Sequence, residues 1–199
     1  MFEKTASAGS GSTRPCRLRH AADMSDAARG TAPLTLVVMG VSGVGKTSVA
    51  HALVERTGWA FQEGDDLHPE ANRAKMAAGT PLTDDDRRPW LSLIAAWIGE
   101  QETAGRGAVV TCSALRRSYR DLLSDGHPSV RFVDLQASEE VLAERVTRRH
   151  HEYMPPALLR SQLETLEPLA ADEPGVRVAT DGGPDAVADR ALQALADGA

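Results

Sequence analysis

The chain has 199 residues, 42% of them apolar, and a formal net charge of -6, which suits one hydrophobic core and excludes a multidomain motor. No lysine and arginine stripe accompanies that charge, so a nucleic-acid partner is not expected and a small molecule is the partner to look for. Cys16 and Cys112 are far apart in unlike surroundings, and neither a membrane-length apolar run nor a signal-peptide core is present; a soluble protein of the reducing cytoplasm, without a membrane partner, is expected.

Residues 1–33 are rich in Ser, Gly, Ala, Thr and Arg without periodic apolar positions, the composition of a disordered tail. Arg14 to His20 is a poor organelle address, because Glu3, Asp23 and Asp26 flank it and it lacks an amphipathic pattern. A translation start at Met24 is hypothesised, since the preceding residues add no element the fold needs; mass spectrometry of the native N-terminus tests this. Residues 34–199 then form one catalytic domain.

That domain opens with an apolar strand, Leu34 to Met39, running into Gly40-Val41-Ser42-Gly43-Val44-Gly45-Lys46-Thr47 and a helix over Lys46 to Arg56. The G-x-x-x-x-G-K-[ST] pattern in a strand-loop-helix setting is a nucleoside triphosphate site. Gly40, Gly43 and Gly45 let backbone N–H groups wrap a polyphosphate, and the helix N-terminus adds partial positive charge. Lys46 is expected to reach the β- and γ-oxygens and Thr47 to ligate Mg²⁺. Val41 and Val44 fill space, Ser42 lies within the cradle, and Ser48 reads as a helix-start residue rather than a second metal ligand.

Strands follow at Trp59 to Phe61, Ala108 to Thr111, Val130 to Leu135 and Val176 to Ala179. Helices alternate with them at Arg88 to Thr103, Arg116 to Leu123, Ser138 to Arg148, Pro156 to Thr165 and Pro184 to Ala196. The alternation predicts an α/β three-layer sandwich around a parallel sheet of about five strands. Trp90 and Trp97 share the apolar helical spacing of Leu91, Ile94 and Ile98 and read as packing. Cys112 at a strand end reads as a small buried side chain.

Carboxylates at the end of the second strand lie where an open α/β sheet binds ligands, and Glu63-Gly64-Asp65-Asp66 stands there. Asp65 is expected to orient and deprotonate an incoming hydroxyl, with Glu63 a step behind holding a Mg²⁺ water. The bland alternative is that Asp65, Asp66 and His68 only cap the helix opening after Pro69.

Several segments together resemble the gluconokinases of the phosphate-loop sugar-acid kinase family. They are Gly64-Asp65-Asp66-Leu67-His68-Pro69; Asn72, Lys75-Met76 and Gly79; Pro81 through Leu91 with its Asp84-Asp85-Asp86-Arg87-Arg88 core; Thr111 through Asp121; Met154 to Leu159; and Ser161-Gln162 with Leu166-Glu167-Pro168. The resemblance spans about Leu34 to the C-terminus. It implies a nucleoside-monophosphate-kinase-like fold with a short lid, a homodimer, and transfer of the ATP γ-phosphoryl group to the 6-hydroxyl of D-gluconate. Such a substrate needs a cation for its carboxylate and polar groups for its hydroxyls. Lys75, Arg87, Arg116 and Arg120 are candidate cations, and Asp84, Asp86 and His68 candidate hydroxyl partners, although Asp84 to Arg88 could instead be a solvated loop locked by its own ion pairs.

The lid falls between about Arg148 and Pro156, and Arg145 and Arg149 are the arginines expected to meet charge on the nucleotide's phosphoryl oxygens, Arg149 as a catalytic residue. His151-Glu152-Tyr153 replaces the Gly-His-Phe usual in relatives, which puts the lid's contacts with nucleotide in doubt, and His150 and His151 lack a ligand spacing for metal. Two other classes share the loop. A shikimate- or nucleoside-monophosphate-type kinase would lack the Asp84 to Leu91 motif. A nucleotide-driven switch protein would want an Asn-Lys-x-Asp base reader, and only Asp134 is a passable switch aspartate.

Overall fold

The computed structural model describes residues 33–148 and 156–198. The expectations for the N-terminal tail, a start at Met24, Arg149 and the His151-Glu152-Tyr153 lid run lie outside the described residues.

Five strands form a single parallel sheet: β1 (Thr35–Met39), β2 (Ala60–Gln62), β3 (Ala108–Thr111), β4 (Val130–Gln136) and β5 (Gly175–Ala179), in the order β2-β3-β1-β4-β5. The middle strand, β1, is apolar from Leu36 to Met39 and wholly buried, as a parallel strand covered on both faces must be. Val37 sits beside Val110 on one side and Phe132 on the other. Because strand side chains alternate, Leu36 and Val38 join one core and Val37 and Met39 the other.

The first core is closed by α1 (Lys46–Thr57) and α7 (Pro184–Asp197), which bury Val49 and Leu53, and Val187 and Ala191. The second lies beneath α3 (Asp84–Thr103) and α4 (Arg117–Ser124), which bury Trp90, Leu91, Ile94 and Ile98, and Tyr119 and Leu123. Helices α5 (Glu139–Arg148) and α6 (Pro156–Thr165) come before and after residues 149–155 in the chain.

Helix α3 starts four residues earlier than its apolar periodicity suggests. Thr83 and Asp86 make a reciprocal capping box there: the Thr83 hydroxyl accepts from Asp86 N–H while the Asp86 carboxylate accepts from Thr83 N–H. Pro89 is therefore inside the helix rather than at its start. A short helix, α2 (Glu70–Ala77), forms behind Pro69, and Gly64–Leu67 is a 3-10 turn between β2 and α2. Adjacency of β2, β3 and β1 brings the phosphate loop, the Gly64 turn and Ser113 to one end of the sheet, the carboxyl end where the strand order turns back on itself.

Candidate active site

The loop after β1 closes on backbone geometry that side chains resist. Gly40 has φ +131°, and a Cβ there would lie 2.9 Å from the Leu135 carbonyl oxygen. Lys46 folds back across the loop, its Nζ donating to the carbonyl oxygens of Gly40 at 3.1 Å and Val41 at 3.2 Å. Gly45, the N-cap of α1, has no side chain to cap the first N–H groups, which leaves that helix end suited to an anion. These features fit a bound polyphosphate.

The residues also fit Mg²⁺. Thr47 Oγ1 donates to Glu63 Oε2 at 2.8 Å, and the other Glu63 oxygen accepts from Thr111 Oγ1, so a hydroxyl and a carboxylate stand beside the cradle. No group of three His, Cys, Asp or Glu side chains that could hold a metal occurs among the described residues. That donor set suits an ion that keeps several waters and takes the rest of its ligands from phosphate.

Beyond the loop lies a cavity of about 240 Å³ whose lining includes Ser42, Lys46, Asp65, His68, Arg87 and Trp90. Asp65 reaches it from the 3-10 turn with a carboxylate that is 73% exposed. His68 is buried, and its ring stacks on Trp90 with centroids 4.1 Å apart and planes 15° apart. Burial, reinforced by the positive charges of Arg87 and Arg73, lowers its pKa to about 4, so the imidazole is neutral at neutral pH. Asn72 Nδ2 lies 3.4 Å from His68 Nδ1 and also donates to the Asp86 carbonyl at 2.7 Å. An amide nitrogen only donates, so Nδ1 accepts and the ring proton sits on Nε2, 3.9 Å from Asp65 Oδ1.

The remaining sequence candidates divide. Arg87 lines the cavity while its Nη1 donates to the Leu82 carbonyl at 2.5 Å. Lys75, Asp86, Asp84 and Arg116 do not line it. Lys75 pairs with Asp86 at 2.6 Å, and Arg116 with Asp84 at 2.7 Å, where Asp84 also accepts from the Tyr119 hydroxyl. The ion pairs of Asp84, Asp85 and Asp86 agree with the ion-paired alternative for the Asp84 to Arg88 segment, except that its backbone is the first turn of α3 and not a loop, and Arg87 lines the cavity.

Arg120 requires a correction. It is 1% exposed, forms a two-pronged pair with Glu173 at 2.5 and 2.9 Å, and donates to the carbonyl oxygens of Ala114 and Glu167. Its guanidinium is engaged inside the protein and does not line the cavity, against the expectation of a substrate cation. Cys112 is buried as expected, and burial pushes its thiol up to about 12, which rules it out as a nucleophile.

On the other side of the loop a cavity of about 300 Å³ is lined by Gly43, Ser48, Arg145, Thr180 and Pro184, among others. Arg145 lies along backbone, donating to the Val44 carbonyl at 3.1 Å and the Thr180 carbonyl at 2.9 Å. Sequence reasoning missed Thr180 and Pro184, although their place in the turn from β5 into α7 at the ligand end of the sheet was a usable signal. It also missed Gln162, whose Oε1 accepts from Ser42 N–H at 2.7 Å, and Thr111, whose hydroxyl accepts from Gly64 N–H at 2.9 Å.

Comparison with known proteins shows the family. A family model described as an AAA domain matches residues 36–169. The chain is similar to the gluconokinase of Gluconobacter oxydans strain 621H, 52% identical over 164 residues that cover 82% of this chain and 92% of the relative. Among solved structures it is similar to a gluconokinase from Sinorhizobium meliloti 1021, with 48% identity and a TM-score of 0.74 over 83% of this chain and 93% of the other. An unliganded sugar kinase from a Janibacter species gives 45% identity and a TM-score of 0.78 over 82% and 95%. With a nucleotide cradle at the sheet's ligand end and relatives matched over nearly their whole length, the chain belongs to the gluconokinase family of phosphate-loop kinases.

Proposed function

We propose that this protein transfers the γ-phosphoryl group of ATP to the 6-hydroxyl of D-gluconate, giving 6-phospho-D-gluconate and ADP with Mg²⁺ as the metal. The observation that carries the reading is one cavity in which Lys46 of the phosphate loop, Asp65 and Arg87 face a common space. Arg87 is the only arginine among its described lining residues, and it supplies the cation for the sugar acid's carboxylate. His68, neutral and with a proton on Nε2, donates to a substrate hydroxyl. Asp65 accepts the proton of the attacking hydroxyl, and Lys46 meets negative charge on the phosphoryl oxygens.

Thr47 would ligate Mg²⁺, with Glu63 holding one of the ion's waters. When bound, the ion neutralises charge on the phosphate oxygens. Arg145 lines the nucleotide side, and Arg149 is assigned by its place in the sequence to the charge of the transferring group. Contacts of Lys75, Asp84, Asp86 and Arg116 with substrate would require these side chains to leave their ion pairs, since none of them lines the cavity. Among the described residues no helix is long and apolar enough to cross a membrane. A cytoplasmic homodimer acting on a small molecule, without nucleic acid or membrane, completes the proposal.

The test is ADP release from ATP and Mg²⁺ across a panel of sugar acids, shikimate and nucleoside monophosphates. Gluconate-dependent ADP formation, with 6-phosphogluconate as product, is expected. Hydrolysis indifferent to gluconate, or stimulation by another acceptor instead, would overturn the reading.

A further inference from the structure

Helical spacing marks Trp90 as core, and it is indeed 1% exposed, but two of its contacts go to the turn that carries Asp65. We propose that Trp90 is a positioning residue for Asp65, acting through the Gly64 carbonyl and the His68 ring. The inference rests on the reading of Asp65 as the group that steers the acceptor hydroxyl.

The Asp65 carboxylate is 73% exposed and comes no closer than 3.9 Å to His68 Nε2, so its aim is set by the backbone rather than by packing of its own side chain. That backbone is a four-residue 3-10 turn, Gly64–Leu67, at whose edges Asp66 N–H reaches the Glu63 carbonyl at 3.2 Å and His68 N–H the Asp65 carbonyl at 3.3 Å. Shorter bonds come from outside. At its start Gly64 donates to Thr111 Oγ1 at 2.9 Å and accepts from the Trp90 indole N–H at 2.7 Å. At its end His68 lies flat against the same indole, 4.1 Å between centroids.

One rigid ring therefore holds both ends of the turn, with Asp65 between them. The indole is fixed in turn by α3, where Trp90 belongs to a core that includes Leu91, Ile94 and Ile98. Removing only the N–H leaves the buried Gly64 carbonyl without that donor and frees the turn to shift. A displacement of about 1 Å in a reacting group costs on the order of 100-fold in rate, so a modest shift would show in turnover.

The experiment is Trp90→Phe in the full chain, which keeps the stacking face and deletes the donor, assayed with saturating ATP and gluconate at a temperature where circular dichroism shows it folded. Turnover is expected to fall about tenfold or more, with the KM for ATP changing less than about twofold. In an Asp65→Asn background the same substitution is expected to cause no further loss, a result that a merely structural role would not give. Equal fractional losses in both backgrounds, or wild-type turnover in folded Trp90→Phe, overturn the inference while leaving the gluconate reaction in place. Absence of gluconate-dependent ADP formation by the wild-type protein overturns the activity and this inference together. Should Trp90→Phe not fold, nitrogen-15 indole resonances of the wild-type protein decide: a Trp90 N–H protected from solvent exchange is expected, and free exchange sinks the proposal.

Discussion

At Asp65 and its neighbours the chemistry is separable from binding, because the carboxylate stands on the acceptor side while the phosphate loop has its own donors. Asp65→Asn keeps the size of the side chain and removes the proton acceptor; turnover is expected to fall about 10²- to 10⁴-fold while fluorescent-ATP affinity stays near wild type. Gly64 leaves less room for a side chain than Gly40, since an added Cβ would lie 1.9 Å from the Thr111 carbonyl oxygen, against 2.9 Å from the Leu135 carbonyl oxygen at Gly40. Gly64→Ala is expected to lose both stability and turnover. His68 adds a pH signature. Its folded pKa of about 4 lies below the ordinary 6.5, so between those values the unfolded chain binds more protons than the folded one. The stability it permits is complete above about pH 6.5 and falls by roughly 3 kcal/mol as pH drops towards 4. Urea unfolding across that range, with His68→Asn flattening the slope, checks the sign, and no turnover transition from His68 is expected between about pH 6 and 8.

Among the elements, α3 matters most to the acceptor cavity, because Arg87 and Trp90 both stand on it. Its start is fixed by the Thr83–Asp86 box rather than by apolar spacing, which begins only at Trp90. Thr83→Ala removes one half of that box and is expected to cost about 1 kcal/mol by thermal or chemical unfolding. Asp86 is held to a pKa of about 2 by its bond from Lys75 and then by those from Thr83. A carboxylate lowered in this way stabilises the fold above its ordinary range and loses that effect as the pH falls towards 2. The helix start should therefore weaken in acid as the box protonates.

For the whole molecule, the buried Arg120–Glu173 pair joins α4 to the segment that follows α6, and its bonds to the Ala114 and Glu167 carbonyls tie in the loop behind β3. Burial opposes the charge on Glu173, but the bonds from Arg120 and Ala170 N–H outweigh it and keep the carboxyl below its usual range. Glu173→Gln leaves an arginine charge buried without its partner and is expected to destabilise by about 3–5 kcal/mol, read as a lower urea midpoint. Replacing both residues by apolar ones of similar volume should recover much of that loss.

The phosphate loop, the five strands and the carboxylates behind β2 were legible in the chain because each is a local statement: contiguous residues of fixed type beside an apolar run. The α2 helix and the first turn of α3 were harder to place, since caps and turn geometry, not hydrophobic period, set their limits. Arg120 shows where local reading ends. It stands in the same motif as Arg116, yet its partner Glu173 is 53 residues away, and only the packed sheet decides that it turns inward. Likewise Gln162 meets Ser42 across 120 residues, and Trp90 meets Gly64 across 26, contacts that no spacing rule announces. Residue identity by itself determined which groups could handle phosphate and protons. Tertiary structure decided which of them share one cavity, because burial and hydrogen-bond pairing are settled by the order of strands in space.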